Sequence, residues 1–157
     1  MNPKIPYMTA EAREQIGLEK VYVSDVISRR HILEYIVGTG DDDAFISARD
    51  SDDLVAPPMF HAAATRKIVP ESELAEDGQY KGFGVPGIVG RTLAGQQETE
   101  LVSSVRVGDV ITERESVKAI EEKAGRSGRL ILVTLVSEFS NQRGELIAKG
   151  TSTLIFR

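Results

Sequence analysis

No cysteine occurs in the 157 residues, which excludes a disulfide framework, a thiolate nucleophile and any cysteine-based zinc site. Only two histidines are present, His31 and His61, too few for a histidine-rich metal cluster, and no metal or cofactor is expected. No apolar run approaches the length of a membrane span; the longest lies near Leu130–Val136. The opening segment lacks a basic–apolar leader, so Met1–Lys20 reads as an exposed lead-in, which argues against secretion. Cations are outnumbered as well: 19 Lys and Arg against 24 Asp and Glu give a net charge of −5. That balance argues against nucleic acid, whose phosphates need clustered Lys and Arg. Coenzyme A remains compatible, because a few cations at a pocket mouth suffice. The expectation is a cytoplasmic protein, with neither nucleic acid nor membrane as a partner.

What is present is enough apolar material for one core. Hydrophobic residues make up 41% of the chain, and a fold of about 150 residues buries roughly two-thirds of its unfolded surface. One domain over residues 1–157 is expected, with no repeat and no low-complexity tract. Thr9 is placed to cap a short helix through Ile16, with Gly17 as its stop. Val21, Val23 and Val26 alternate with polar residues in a first strand. Ser28 precedes a helix that puts Ile32, Tyr35 and Ile36 on one face and ends at Gly38-Thr39-Gly40. An acidic loop is expected over Asp41–Asp53. Pro57-Pro58 fits the first turn of a helix running to Lys67, because the missing proline N–H is no loss there; Phe60, Ala63, Ala64 and Lys67 share its face. Residues Val69–Ala94 hold Gly78, Gly82, Gly84, Gly87 and Gly90 and read as a long loop, a flap or a tolerated insertion. Strands follow at about Glu98–Val105, Val110–Ile120, Arg129–Phe139 and Glu145–Phe156, separated by turn residues. Leu130–Val136 is apolar on both faces and suits a central strand. The fold class is therefore α+β.

Several segments together resemble the MaoC-like acyl-thioester hydratases and dehydratases, in the N-terminal-half type found in fatty-acid-synthase-type dehydratases. The resemblance rests on Gly40-Asp41, on Ala56-Pro57-Pro58-Met59-Phe60, on Val107-Gly108-Asp109 and on Gly144-Glu145-Leu146, and runs from about Val21 to Phe156. It implies the hot-dog fold, a long antiparallel sheet wrapped around a central helix, in a dimer or pseudo-dimer. Catalytic members carry a Gly-Asp-x-Asn-Pro-x-His loop and a His-Gly-Met-Phe-like helix entrance. Here Asp43 stands in the Asn position, Ala44 in the Pro position and Ile46 in the His position, while Pro57-Pro58 replaces His-Gly.

By that resemblance Asp41 is nominated as a catalytic carboxylate, with His61 as a replacement acid–base group. Gly40, Asp43, Ile46, Pro58, Met59 and Phe60 are nominated to contact an acyl-CoA or acyl-carrier-protein thioester. The plainer alternatives are a solvated Asp41 accepting backbone N–H bonds and a hydrogen-bonded or half-exposed helix histidine. His31 is expected at the surface. Arg29, Arg30, Arg66 and Lys67 read either as contacts for coenzyme A phosphates or as solvated faces. Three functions compete: an enoyl-thioester hydratase or 3-hydroxyacyl-thioester dehydratase whose degenerate half needs a catalytic partner, a non-catalytic acyl-CoA-binding homodimer, and a thioesterase. The resemblance also implies a place in fatty-acid metabolism.

Overall fold

A short strand β1 (Tyr7–Met8) and a one-turn helix α1 (Ala10–Glu14) precede the edge strand β2 (Glu19–Val23) in the computed structural model, which describes residues 7–76, 78–79, 84–126 and 128–157. Thr9 takes the N-cap position of α1, although its side chain makes no capping bond, and α1 ends before Ile16. Helix α2 (Arg29–Thr39) starts as expected at Ser28. The Ser28 hydroxyl accepts the His31 N–H at 3.2 Å, and the Ser28 N–H donates to His31 Nδ1 at 3.3 Å. His31 thus does at the surface what Glu or Gln does in a capping box. Ile32 and Ile36 of α2 enter the core, and Gly40, in the left-handed region at φ 74°, ends it.

The acidic stretch is not a loop. Residues Asp42–Arg49 form helix α3, capped by Asp41, whose carboxylate accepts the Ala44 N–H at 2.9 Å. Asp42 and Asp43 sit in its first turn and Arg49 in its last, both favourable to the helix dipole. Ala44, Phe45 and Ala48, at helical spacing, pack against the core. Arg29 ties α3 down by donating to the carbonyls of Ala48, Arg49 and Ser51.

The central helix is shorter than the expected Pro57–Lys67. Helix α4 spans Phe60–Ala64, with Met59 as an N-cap in the left-handed region at φ 69° and Thr65 as C-cap. Its buried side consists of Phe60, His61 and Thr65, whereas Ala63 and Lys67 face solvent. Beyond it lie a 3-10 turn (Glu71–Glu73), strand β3 (Ile88–Val89) and strand β4, which begins at Thr92 and ends at Leu101. The expected loop thus closes earlier than Ala94, and its Gly82 lies outside the described residues. Strands β5 (Ile111–Gly125), β6 (Gly128–Asn141) and β7 (Leu146–Phe156) complete the chain.

The main sheet has five strands in the order β2-β5-β6-β7-β4, every pair antiparallel. The strand containing Leu130–Val136 is the middle one, which explains its apolar residues on both faces. A second, two-stranded sheet pairs β1 with β3. The core falls into two clusters. One gathers Ile32, Ile36, Phe60, Ile111, Phe139 and Ile147 beneath α2 and α4; the other gathers Val85, Val117, Ile131, Val133 and Phe156 at the far end of the sheet.

Gly87 joins the N-terminal segment to this body. It lies at φ 79°, its carbonyl accepts the Thr9 N–H at 2.9 Å, and a Cβ there would meet Thr9 Oγ1 at 2.5 Å and the Ala12 nitrogen at 2.7 Å. Gly87→Ala should destabilise the fold by about 2–3 kcal/mol, the backbone conformation and the overlap both contributing. Gly17→Ala, at φ 84° in open space, should cost only about 1 kcal/mol, for the backbone alone. Urea midpoints of the two variants test this; equal losses would remove crowding as the cause.

Candidate active site

Two groups of nominated residues occupy different places. Gly40, Asp41, Asp43 and Ile46 ride on the connection from α2 into α3. Asp41 is exposed and engaged as the α3 cap, and Ile46 is 55% exposed on the same helix. Pro58, Met59, Phe60 and His61 belong to the entrance and first turn of α4. Phe60 is buried, its ring edge-on to Tyr35 at 5.4 Å between centroids.

His61 is the buried titratable member of the set, 3% exposed, with its ring edge-on to Phe139 at 4.6 Å. No described residue hydrogen-bonds its ring. Two cavities flank it. One, of about 270 Å³, lies between Pro57, Pro58, Leu101, Ser103 and Ile147. The other, of about 80 Å³, lies between Met59, Arg66, Thr99, Ser137 and the carboxylates of Glu113 and Glu115. Asp41 lines neither of them. The structure therefore brings Pro58, Met59 and His61 together and leaves Asp41 apart from them.

The helix entrance has its own chemistry. Pro57 and Pro58 bring no N–H, and the Phe60 N–H is already given to the Pro57 carbonyl at 3.2 Å. At the position of the glycine in the family's His-Gly entrance, this chain offers the pyrrolidine ring of Pro58. Met59 is the one described non-glycine residue with positive φ, the turn that sends the chain from Pro58 into α4.

Glu113 and Glu115 are residues that the sequence reading missed. They lie on β5 between Ile111 and Val117, on the inward-facing alternate positions, and both are half-buried. Thr65 Oγ1 donates to Glu113 Oε2 at 2.6 Å, fixing the end of α4 to the sheet. The signal was present: strict alternation places Ile111 and Val117 in the core and forces the two glutamates between them onto the same face. Among the described residues no group of three potential ligands converges on a metal position.

The sequence matches the FAS1-like dehydratase domain region over residues 14–150. The chain belongs to that family. It is 31% identical over 145 residues to the UPF0336 protein Franean1_6066 of Parafrankia sp. (strain EAN1pec), covering 87% of this chain and 89% of that one. Its structure resembles the MaoC-like dehydratase from Rhodospirillum rubrum, at a TM-score of 0.58 and 20% identity, over 91% of this chain and 94% of the other. It also resembles the ChsH1-ChsH2 complex from Mycobacterium tuberculosis, at a TM-score of 0.62 and 14% identity, covering 87% of this chain and 82% of the matched one. The five-stranded antiparallel sheet around α4 is the hot-dog fold of the MaoC-like hydratases and dehydratases. No helix among the described residues is long and apolar enough to cross a membrane.

Burial shapes the two kinds of acid–base group in this dehydratase-family chain in opposite ways. It lowers the pKa of His61 below its usual 6.5 and raises that of Glu115 above its usual 4.5; the Glu113 charge adds to the second effect, while Lys20 and Arg66 oppose it. A histidine lowered in the folded state stabilises fully above its unfolded pKa, and that stability is lost as pH falls toward the folded value. A raised carboxyl stabilises below its unfolded pKa and loses its contribution as pH rises through the folded one. As pH falls below about 6.5, then, the His61 contribution lowers the wild-type melting temperature while that of Glu115 opposes it, and His61→Gln should remove the destabilising share of the slope. An unchanged slope in the variant would exclude His61 as its source.

Proposed function

We propose that this chain is the degenerate half of a double-hot-dog enzyme for the reversible hydration of 2-enoyl thioesters, working with a catalytic partner. The observation that carries the reading is the pair Ile46 and Pro58. Hydration needs a positioned acid–base group and a donor to the thioester carbonyl; isoleucine transfers no proton and proline donates none. Of the two nominated acid–base residues, Asp41 is held as a helix cap away from the cavities that His61 lines, so the two do not share a site. In this reading Gly40, Asp43, Ile46, Pro58, Met59 and Phe60 shape the acyl surface, and the partner supplies the proton shuttle and the enolate anchor. The carrier is coenzyme A or acyl carrier protein.

The sheet supports a paired state. Strand β4 is an edge of ten residues with one side unpaired among the described residues, and such an edge is a template for another strand. Leu101 and the adjoining Val102 are half-exposed at its end. The ChsH1-ChsH2 complex is a precedent for pairing.

The test is mixing with a chain that carries an intact Gly-Asp-x-Asn-Pro-x-His loop. A one-to-one heterodimer by light scattering, with crotonyl-CoA hydration confined to the mixture, is expected. A monodisperse monomer that stays apart from such a chain would overturn the reading. Release of free thiol from acyl-CoA, lost in Asp41→Ala, would make the protein a thioesterase instead.

A further inference from the structure

Three cavities succeed one another along α4. The first, of about 270 Å³, is walled by Pro57, Pro58, Leu101, Val105 and Ile147. His61 lines both it and the second, of about 80 Å³. Arg66, Glu113 and Glu115 line both the second and a third, of about 70 Å³, which reaches Val117, Leu135 and Leu154 at the far end of the core. A ligand passing from the first cavity to the third therefore has to cross the second.

Strand register makes that crossing polar. Lys20 pairs with Glu115, Glu115 with Ser137, Ser137 with Gly150, and Gly150 with Thr99, a row over all five strands without an apolar side chain. Glu113 stands in the neighbouring row, opposite Tyr22 and Phe139, with its carboxylate bound by Thr65. Among the described residues no buried side-chain nitrogen or oxygen lacks a hydrogen-bond partner, so the polar surface of this waist is either bonded or wet. An alkyl chain pushed across it would displace water from Glu115, Ser137 and Thr99 and return no hydrogen bond. The first cavity offers the opposite. Each methylene set against Pro58, Leu101 and Ile147 leaves water for apolar walls, a gain of about fourfold in affinity. An apolar cavity of about 150 Å³ holds one benzene, so the first cavity has room for about ten carbon atoms.

We propose that the row of Glu115, Ser137 and Thr99, with Arg66 above it, is the floor of the acyl pocket, and that this chain selects short and medium acyl thioesters whose tails end before the waist. The inference rests on the acyl-thioester reading above and narrows its substrate class by chain length. Glu115 acts here as a specificity residue: its charge stops the tail and takes no part in the chemistry.

Calorimetric titration of the full chain with butanoyl-CoA, octanoyl-CoA and tetradecanoyl-CoA tests it. Octanoyl-CoA should bind at least about tenfold tighter than butanoyl-CoA, and tetradecanoyl-CoA no tighter than octanoyl-CoA. In Glu115→Leu the break should vanish, tetradecanoyl-CoA becoming at least about tenfold tighter than octanoyl-CoA, whereas Glu115→Gln, still polar, should keep it. If Glu115→Leu fails to fold, Thr99→Val, which removes one hydroxyl of the same row at constant shape, should give tetradecanoyl-CoA a gain of about threefold over octanoyl-CoA. Affinity that climbs through tetradecanoyl-CoA in the wild type overturns the floor alone. So does a break that survives Glu115→Leu with native circular dichroism, or Thr99→Val where that variant has to serve. Binding of none of the probes overturns the floor and the acyl-thioester reading together.

Discussion

Alone, this chain should hydrate crotonyl-CoA at least about 10⁴-fold more slowly than its mixture with a catalytic partner, since a positioned acid–base group contributes about 10²–10⁴ in rate and a carbonyl donor about 10²–10³. In the proposed reading both contributions are missing from this chain, at Ile46 and Pro58. The measurement is the loss of enoyl absorbance with the chain alone, with the partner alone and with both. Asp41→Asn supplies the control that gives the result meaning. Asparagine caps a helix about as well as aspartate, so α3, stability and assembly should survive the change. Activity of the mixture should survive as well. Full hydration by the isolated chain, abolished by Asp41→Asn, would place the chemistry on Asp41 and end the partner reading.

How far the sequence carried depended on whether the deciding signal was local. Ser28 as a helix start, Gly40 as a helix stop and Leu130–Val136 as the middle strand all rest on residues close together in the chain, and all three stand. The α3 segment misled because Asp41, Asp42, Asp43 and Asp50 read as solvated acid, while Asp41 is a cap and Ala44, Phe45 and Ala48 are the buried side of a helix. The start of β4 was missed for a related reason. Thr92–Gln97 is mostly exposed, broken by a register shift between Ala94 and Gln97, and pairs with β7, far along the chain. Periodicity has little to act on in such a strand. Helix α4 lost its second half to its environment, since Thr65 is pulled to Glu113 on β5.

Asp109→Ala should destabilise the fold by about 2–3 kcal/mol, lowering the melting temperature by roughly 4–12 °C, because removing the buried carboxylate leaves the Arg106 N–H without its acceptor and the half-exposed Arg143 without its anchor. Asp109 is 2% exposed. Its Oδ2 accepts the Arg106 N–H at 2.9 Å, its Oδ1 lies 3.0 Å from Arg143 Nη2, and its backbone carbonyl accepts the Ile27 N–H at 2.8 Å. Arg143 also reaches Glu145 at 2.9 Å, and Asn141 donates to Glu145 at 2.6 Å while accepting the backbone N–H groups of Arg143 and Glu145. The turns containing Val107-Gly108-Asp109 and Gly144-Glu145-Leu146, two segments on which the family resemblance rests, are therefore stitched to each other and to the start of α2. The clamp joins the turn before β5 to the turn between β6 and β7 and so helps hold the register of these three strands. Arg30→Ala is the contrast. Its pair with Glu34 is shorter, at 2.6 Å, but both partners are largely solvated, and no measurable change in stability is expected. Thermal melts of the two variants side by side decide the matter, and a loss below about 1 kcal/mol for Asp109→Ala would reduce the clamp to an ordinary surface turn.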